Sequence, residues 1–465
     1  MPRPEEIPRK NVFVLGYDLK HQPDVEDIRD IADINIHALL HSDEVANQDG
    51  YDIEAMLSKA RMVLDQYDSV DGIVCHWDFP GAALHAILCE EYQLPGPTLE
   101  AVVKCSHKYW SRLEQRRLVP EHTPDFCAVD PFDDQALEKI SVAFPFWLKP
   151  IKGYSSMLGF HITNEQEFNE AIEVTQRTIS LLGDPFDNIL RRIELPEELR
   201  EISGNFMIAE QYVHGWELAP EGYVQSGKCH VHGMIDMVIG SNGKSFERYE
   251  YPSSAPDTVQ KLATSVSCQL MEHIGFDSGC FNIEFFWDDE TEKLWIVEIN
   301  PRISQSHSYQ FEQVKGLSNH EVAVQVALGE RPRFDQVSGR YKCAAKFLHR
   351  LYSRENKVAT RVPTEEEIAA FQENVQPDTR IYLRIQEGEQ LADLRDQDPY
   401  SFVLADMLIA AQSREELEQK YRKASESLLF EFEHLEALLA PSETDVIAAN
   451  DQAIDLMGTV RPSAN

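Results

Sequence analysis

Basic side chains are scarce in this chain: 43 Lys and Arg stand against 79 Asp and Glu, a formal net charge of -36. So acidic a surface repels phosphate backbones, which excludes nonspecific nucleic-acid binding and favours solubility. An anionic ligand has to be drawn in by locally placed Lys, Arg or metal, against the average field. Closely spaced cysteine pairs are also missing. The eight, at positions 75, 89, 105, 127, 229, 268, 280 and 343, show none of the short spacings of a zinc or redox motif and read as reduced thiols. No apolar run reaches the length of a membrane span, and the opening Met1-Pro2-Arg3-Pro4-Glu5-Glu6 lacks the apolar core of a signal peptide. A cytoplasmic protein with no membrane partner is expected. Internal repeats and low-complexity linkers are absent as well.

What the chain has is length and alternation. Its 465 residues exceed one ordinary core and suggest about three domains. Apolar runs at Asn11 to Tyr17, Asp33 to Leu40 and Val70 to His76 predict strands. Between them Met56, Ala60, Val63, Leu64 and Tyr67 form one helical stripe, and a further helix is expected from about Pro80 to Tyr92. This is the pattern of a small parallel α/β domain. Leu94-Pro95-Gly96-Pro97 breaks it, and one helix containing Lys104, Lys108 and Arg112 is expected next. Short strands and a long helix between Pro120 and Val213 read as a lid. The stretch from Arg331 onward reads as a further α/β appendage.

The most specific pattern lies in residues 279 to 302. Asn282 and Glu284 alternate with Phe281, Ile283 and Phe285; Glu298 and Asn300 alternate with Trp295, Val297 and Ile299. Period two puts the polar pair of each run on one face. A hairpin turn over Asp288 to Glu292 sets Glu284 opposite Glu298 and Asn282 opposite Asn300. An ordinary exposed hairpin would show the same alternation, but two carboxylates facing each other on a half-buried sheet repel unless a cation lies between them. Magnesium commonly takes one or two protein carboxylates, with nucleotide phosphates and water completing its shell. Pro301 then ends the strand, and Arg302 stands just beyond, suited to gripping phosphate or carboxylate oxygens.

Taken in order, Lys108 after the first domain, Lys149 before a Gly/Ser loop, Glu210-Gln211-Tyr212-Val213, Glu217 and the hairpin ending in Arg302 resemble the ATP-grasp superfamily over roughly residues 10 to 330. The resemblance implies an α/β ATP-grasp fold: a Rossmann-like N-terminal domain (1–115), a lid subdomain (116–213), an antiparallel core carrying the metal hairpin (214–335) and a biotin-carboxylase-like C-terminal domain (336–465). It implies that Lys108 and Lys149 meet the nucleotide phosphates, and that Ser155 and Ser156 in Gly153-Tyr154-Ser155-Ser156 cover them. Glu210, Gln211 and Val213 would read adenine, and Glu217 would hold the ribose. Glu284, Glu298 and Asn300 would bind magnesium, two ions with manganese as a substitute, and Arg302 would sit by the transferred phosphate.

The chemistry implied is attack of a substrate carboxylate on the γ-phosphate of ATP, giving an acyl phosphate that a second nucleophile opens. Where a biotin carboxylase has a bicarbonate-deprotonating glutamate after the arginine, Ser306 stands here, and the long glycine run of that lid is missing. The expectation is therefore a carboxylate–amine ligase taking a small acid and an amine, with a homodimer common among relatives. A biotin- or bicarbonate-dependent carboxylase subunit and a non-catalytic Mg-ATP-binding protein are the alternatives. His307 is placed either against the acyl substrate or as a structural group.

Overall fold

The computed structural model describes residues 9–18, 28, 33–46, 50–153, 158–374, 376–394, 397–398 and 400–434. The chain divides into two units, one of residues 1–238, 248–346 and 410–417, the other of 239–247, 347–409 and 418–465. In the first unit, β1 (Lys10–Tyr17), β2 (Ile34–His41) and β3 (Gly72–Cys75) form a parallel sheet in the order β2-β1-β3. Helix Ile53–Leu64 supplies the crossover from β2 to β3 that parallel strands require, and helix Gly81–Glu91 follows β3.

A second sheet holds β4 (Phe126–Val129), β5 (Phe146–Pro150), β6 (Phe160–Ile162) and β7 (Met207–Gln211) in the antiparallel order β4-β7-β5-β6. A third includes β8 (Trp216–Gln225), β9 (Lys228–Ile239), β10 (Phe246–Tyr251), β11 (Gly279–Asp288) and β12 (Lys293–Asn300), which run in the order β12-β11-β8-β9-β10. The apolar face of β11, with Phe281, Ile283 and Phe285 fully buried, joins one cluster with the helix Asp257–Ile274 and the N-terminal sheet. That burial fixes the opposite face of β11 toward the site, because a one-residue slip would turn every polar side chain inward.

The second unit has its own small core around Ala359, Ile385, Leu391 and Leu404. Its strands after β13 (Cys343–Leu351) are β14 (Lys357–Arg361), β15 (Arg380–Leu383), β16 (Phe402–Ala411) and β17 (Glu431–His434); β15 pairs with β16 and β14 with β17, both antiparallel.

Two expectations are corrected. The helix carrying Lys104, Lys108 and Arg112 is two helices, Leu99–Ser106 and Lys108–Leu118, divided at His107, whose ψ of 97° is extended. The His107 ring accepts from the Trp110 N–H at 3.2 Å and caps the second helix, while the Lys108 N–H donates to the Ile151 carbonyl at 3.0 Å. The break anchors Lys108 to the end of β5. Nor are all the cysteines reduced: Cys229 on β9 is bonded to Cys268 on the helix Asp257–Ile274, their Cα atoms 5.3 Å apart. Separated by 39 residues, the two are neighbours only because helix and strand pack together. The six remaining cysteines are free thiols.

Candidate active site

Three strands place a row of polar side chains on one face. Glu284 pairs with Glu298 and Asn282 with Asn300 across β11 and β12, the register expected from the turn. On its other side β11 pairs Asn282 with Glu221 and Phe286 with Glu217 of β8, so Glu217 and Glu221 share the face of the hairpin carboxylates. Strict alternation fails once. The ladder shifts between Glu284 and Phe285, leaving Val297 unpaired, so the buried apolar residues of β12 are Leu294, Ile296 and Ile299 where Trp295, Val297 and Ile299 were expected. A bulge inserts one residue and reverses the face of everything before it.

Arg112 accounts for that bulge. Its guanidinium, 3% exposed, donates to the carbonyls of Ile296 at 2.8 Å and Val297 at 2.9 Å, the acceptors the disrupted ladder leaves over. The same side chain donates from Nε to Glu210 at 2.7 Å. One buried cation thus ties the β11–β12 hairpin to the end of β7.

The carboxylates of the row are under electrostatic stress. Burial, and then the neighbouring charge of Glu298, push the Glu284 carboxyl up to about 7. Glu298 moves the other way: burial opposes its charge, but Lys108 and Lys149 hold it below the usual range, and Lys108 Nζ donates to its Oε1 at 2.8 Å. Asn300 donates to Glu284 at 3.1 Å. Glu217, 6% exposed, is raised well above the usual range by burial and then by Glu284. Such a set lacks positive charge at its centre, the condition in which a hard divalent cation with oxygen ligands is favoured. The fit is chemical as well, since two carboxylates face each other across β11 and β12 with the Asn300 amide beside Glu284. Among the described residues no group of three or more His, Cys, Asp or Glu forms an all-protein cage. Glu284, Glu298 and Asn300 could therefore hold magnesium only with ligand oxygens or water completing its shell.

Cations ring the row. Lys108, 8% exposed, also donates to the Gly153 carbonyl at 2.9 Å. Lys149 lies 2.8 Å from Glu210 Oε2, a diagonal contact between β5 and β7, where Lys149 pairs with Ile208 and Trp147 with Glu210. Arg302 donates to Asp78 at 2.7 Å and to its neighbour's Ile303 carbonyl at 3.2 Å. Asp78 is held below the usual carboxylate range by Arg302, against the effect of its own burial. Gln211 and Val213 are half-buried at the end of β7, and the Gln211 N–H is already given to the Asp125 carbonyl at 2.7 Å. Gly215 leads into Glu217 past the Trp287 carbonyl, which a Cβ would approach to 2.3 Å, so no larger residue fits the turn. Ser155 and Ser156 lie outside the described residues.

Glu210 titrates far from its ordinary range. Burial opposes its charge, yet Arg112 and Lys149 bring its carboxyl down to about 2. A depressed folded-state value contributes stability that is fully present above about 4.5 and is lost as pH falls toward 2. The difference in urea midpoint between wild type and Glu210→Gln is accordingly expected to shrink steadily below pH 4.5. Parallel acid limbs in the two proteins would refute this account of Glu210.

Sequence pattern missed Asp78, Arg112, Lys152 and Glu221, and left His307 open between a substrate contact and a structural group. Lys152 is 3% exposed and is pushed down to about 8 by burial and then by Lys108. A lysine just after a lysine-bearing strand carried a faint signal. Asp78 carried none, because its partner Arg302 is 224 residues away.

Residues 142–309 match the model of the ATP-grasp domain. Among curated proteins, the carbamoyl phosphate synthase large chain of Thermoanaerobacter sp. (strain X514) is 27% identical over 96 residues, 21% of this chain and only 8% of that protein's length. Among solved structures, the L-amino acid ligase of Bacillus licheniformis superposes with a TM-score of 0.70 at 16% identity, covering 92% of this chain and 100% of that one. The biotin carboxylase domain of the Hydrogenobacter thermophilus 2-oxoglutarate carboxylase, solved with magnesium ADP, ADP and bicarbonate, superposes with a TM-score of 0.59 at 15% identity, covering 92% and 91%. At these identities the likeness is one of fold. The domain match gives the chain an ATP-grasp domain in residues 142–309, and its parallel and antiparallel sheets agree with the fold of these neighbours.

Proposed function

We propose that the protein is an ATP-dependent, ADP-forming ligase that joins a small carboxylic acid to an amine. The observation that carries this reading is the facing pair Glu284 and Glu298, with Asn300 beside them and cationic side chains around them. In this reading adenine lies at the end of β7, near Glu210, Gln211 and Val213, and the ribose near Glu217. Lys108 and Lys149 meet the phosphates from opposite sides. A magnesium ion held by Glu284, Glu298 and Asn300 would offset phosphate charge. Arg302 faces the γ-phosphate and the acid.

Catalysis then rests mainly on position and charge. The substrate carboxylate attacks the γ-phosphate in line, its oxygen bonding to phosphorus as the bond to ADP breaks. Lys108, Lys149 and Arg302 stabilise the charge that spreads over the phosphoryl oxygens, having been oriented beforehand by Glu298, Glu210 and Asp78. The amine then attacks the acyl carbon and phosphate leaves. Ser306 favours amine over bicarbonate chemistry. A hydroxyl cannot serve as bicarbonate's base near neutrality, and this one accepts a hydrogen bond from Lys346 at 3.1 Å.

The test is ADP release screened over pairs of amino acids and small acids with magnesium. Release that needs both an acid and an amine is expected; release that needs bicarbonate, or none with any pair, would overturn the reading.

A further inference from the structure

The polar row extends past the metal pair. Along β8, Glu217 lies toward the nucleoside end, and Glu221 lies four residues on, about 13 Å away at ~3.3 Å per residue. Glu221 sits beside Asn282, and thus on the far side of the Glu284 and Glu298 pair from Glu217. If the nucleotide runs as proposed, Glu221 lies where the substrates that receive or follow the phosphoryl group must be. This inference rests on that reading.

Glu221 is fully buried, and its two oxygens differ. Oε1 takes the His307 ring nitrogen Nδ1 at 2.7 Å, the Asn282 amide at 3.3 Å and the Ser304 N–H at 3.3 Å. Oε2 has no partner. Both nearby cations are directed elsewhere, Arg302 to Asp78 and Lys346 to the Ser306 hydroxyl. We propose that Glu221, braced by His307, is the seat of a substrate's primary ammonium group, which donates to Oε2.

Charge favours this occupant. Burial holds the Glu221 carboxyl well above the usual range despite Arg302 nearby, so its carboxylate form lacks a compensating cation. An ammonium supplies both the missing charge and the missing donor, where water supplies only the donor. His307 completes the seat: burial, and then Arg302 and Lys346, bring its imidazole down to about 3. It therefore stays neutral and can donate from Nδ1 to the ionised carboxylate.

The ammonium belongs either to an amino acid being activated or to the incoming amine, and two assays separate these sources. In the first, hydroxylamine replaces the amine, and hydroxamate formed from each of the twenty amino acids reads the acid site alone. In the second, acid is saturating and the amine found in the screen is varied. Glu221→Gln, with His307→Asn as a second variant, should raise KM by about ten- to a hundredfold in one arm, as for loss of a charge-assisted hydrogen bond, with KM for ATP unchanged. A rise in the first arm assigns the seat to the acid's own amino group, and a rise only in the second assigns it to the amine. Unchanged KM in both arms overturns the proposal, as does a KM for ATP rising in parallel. No wild-type product in either arm would remove the ligase reading and this inference with it.

Discussion

Glu298→Gln protein is expected to fold as wild type and to release ADP about 100-fold more slowly or worse, the scale of losing one preorganised charge in a water-excluded site. Glu298 is at once half of the facing carboxylate pair and the partner of Lys108 at 2.8 Å, so on the proposed reading the amide would remove a cation ligand and free the lysine that meets the phosphates. Stability should change little. The variant loses the buried ion pair with Lys108, but it also loses the repulsion that helps raise Glu284 to about 7. The same change supplies a second readout. The Glu284 carboxyl, followed by carbon NMR without metal, should titrate at lower pH in the variant, falling partway because burial remains its first cause. Turnover within a few-fold of wild type would remove Glu298 from the site.

Arg302→Ala is expected to slow turnover by about 100- to 1,000-fold, the cost of removing one group that stabilises transition-state charge. Unlike the first variant it should also be less stable, by roughly 2–3 kcal/mol, because it strands the largely buried carboxylate of Asp78. The double variant Asp78→Asn with Arg302→Ala separates the two effects. Removing the stranded charge should recover most of the urea stability and none of the turnover. If stability and turnover return together, Arg302 acts through folding alone, and its place beside the transferred phosphate is lost.

Both variants stand at positions that sequence pattern identified, while the partners that shape their effects were hidden. Glu284 opposite Glu298 was readable because a polar turn between two alternating runs sets a hairpin register locally. The bulge at Val297 was not, since its left-over carbonyls are satisfied by Arg112, 185 residues away along the chain. The split at His107 was missed for a similar reason: apolar and basic residues on either side keep helical spacing, and the break is stabilised by the Ile151 carbonyl just past β5.

Sequence alone determined what depends on near neighbours: the alternation that makes the strands, the turn that opposes two carboxylates, and an acidity that leaves anion binding to a few local cations. The order of its lysines, glutamates and arginine was enough to bring the ATP-grasp fold into view. Tertiary structure decided which charge meets which. The pairing of Arg302 with Asp78, of Arg112 with Glu210, of Glu221 with His307 and of Cys229 with Cys268 each joins segments far apart in the chain. The physical reason is that backbone geometry repeats over two to four residues, whereas Coulomb attraction and burial act through space and leave no period to read.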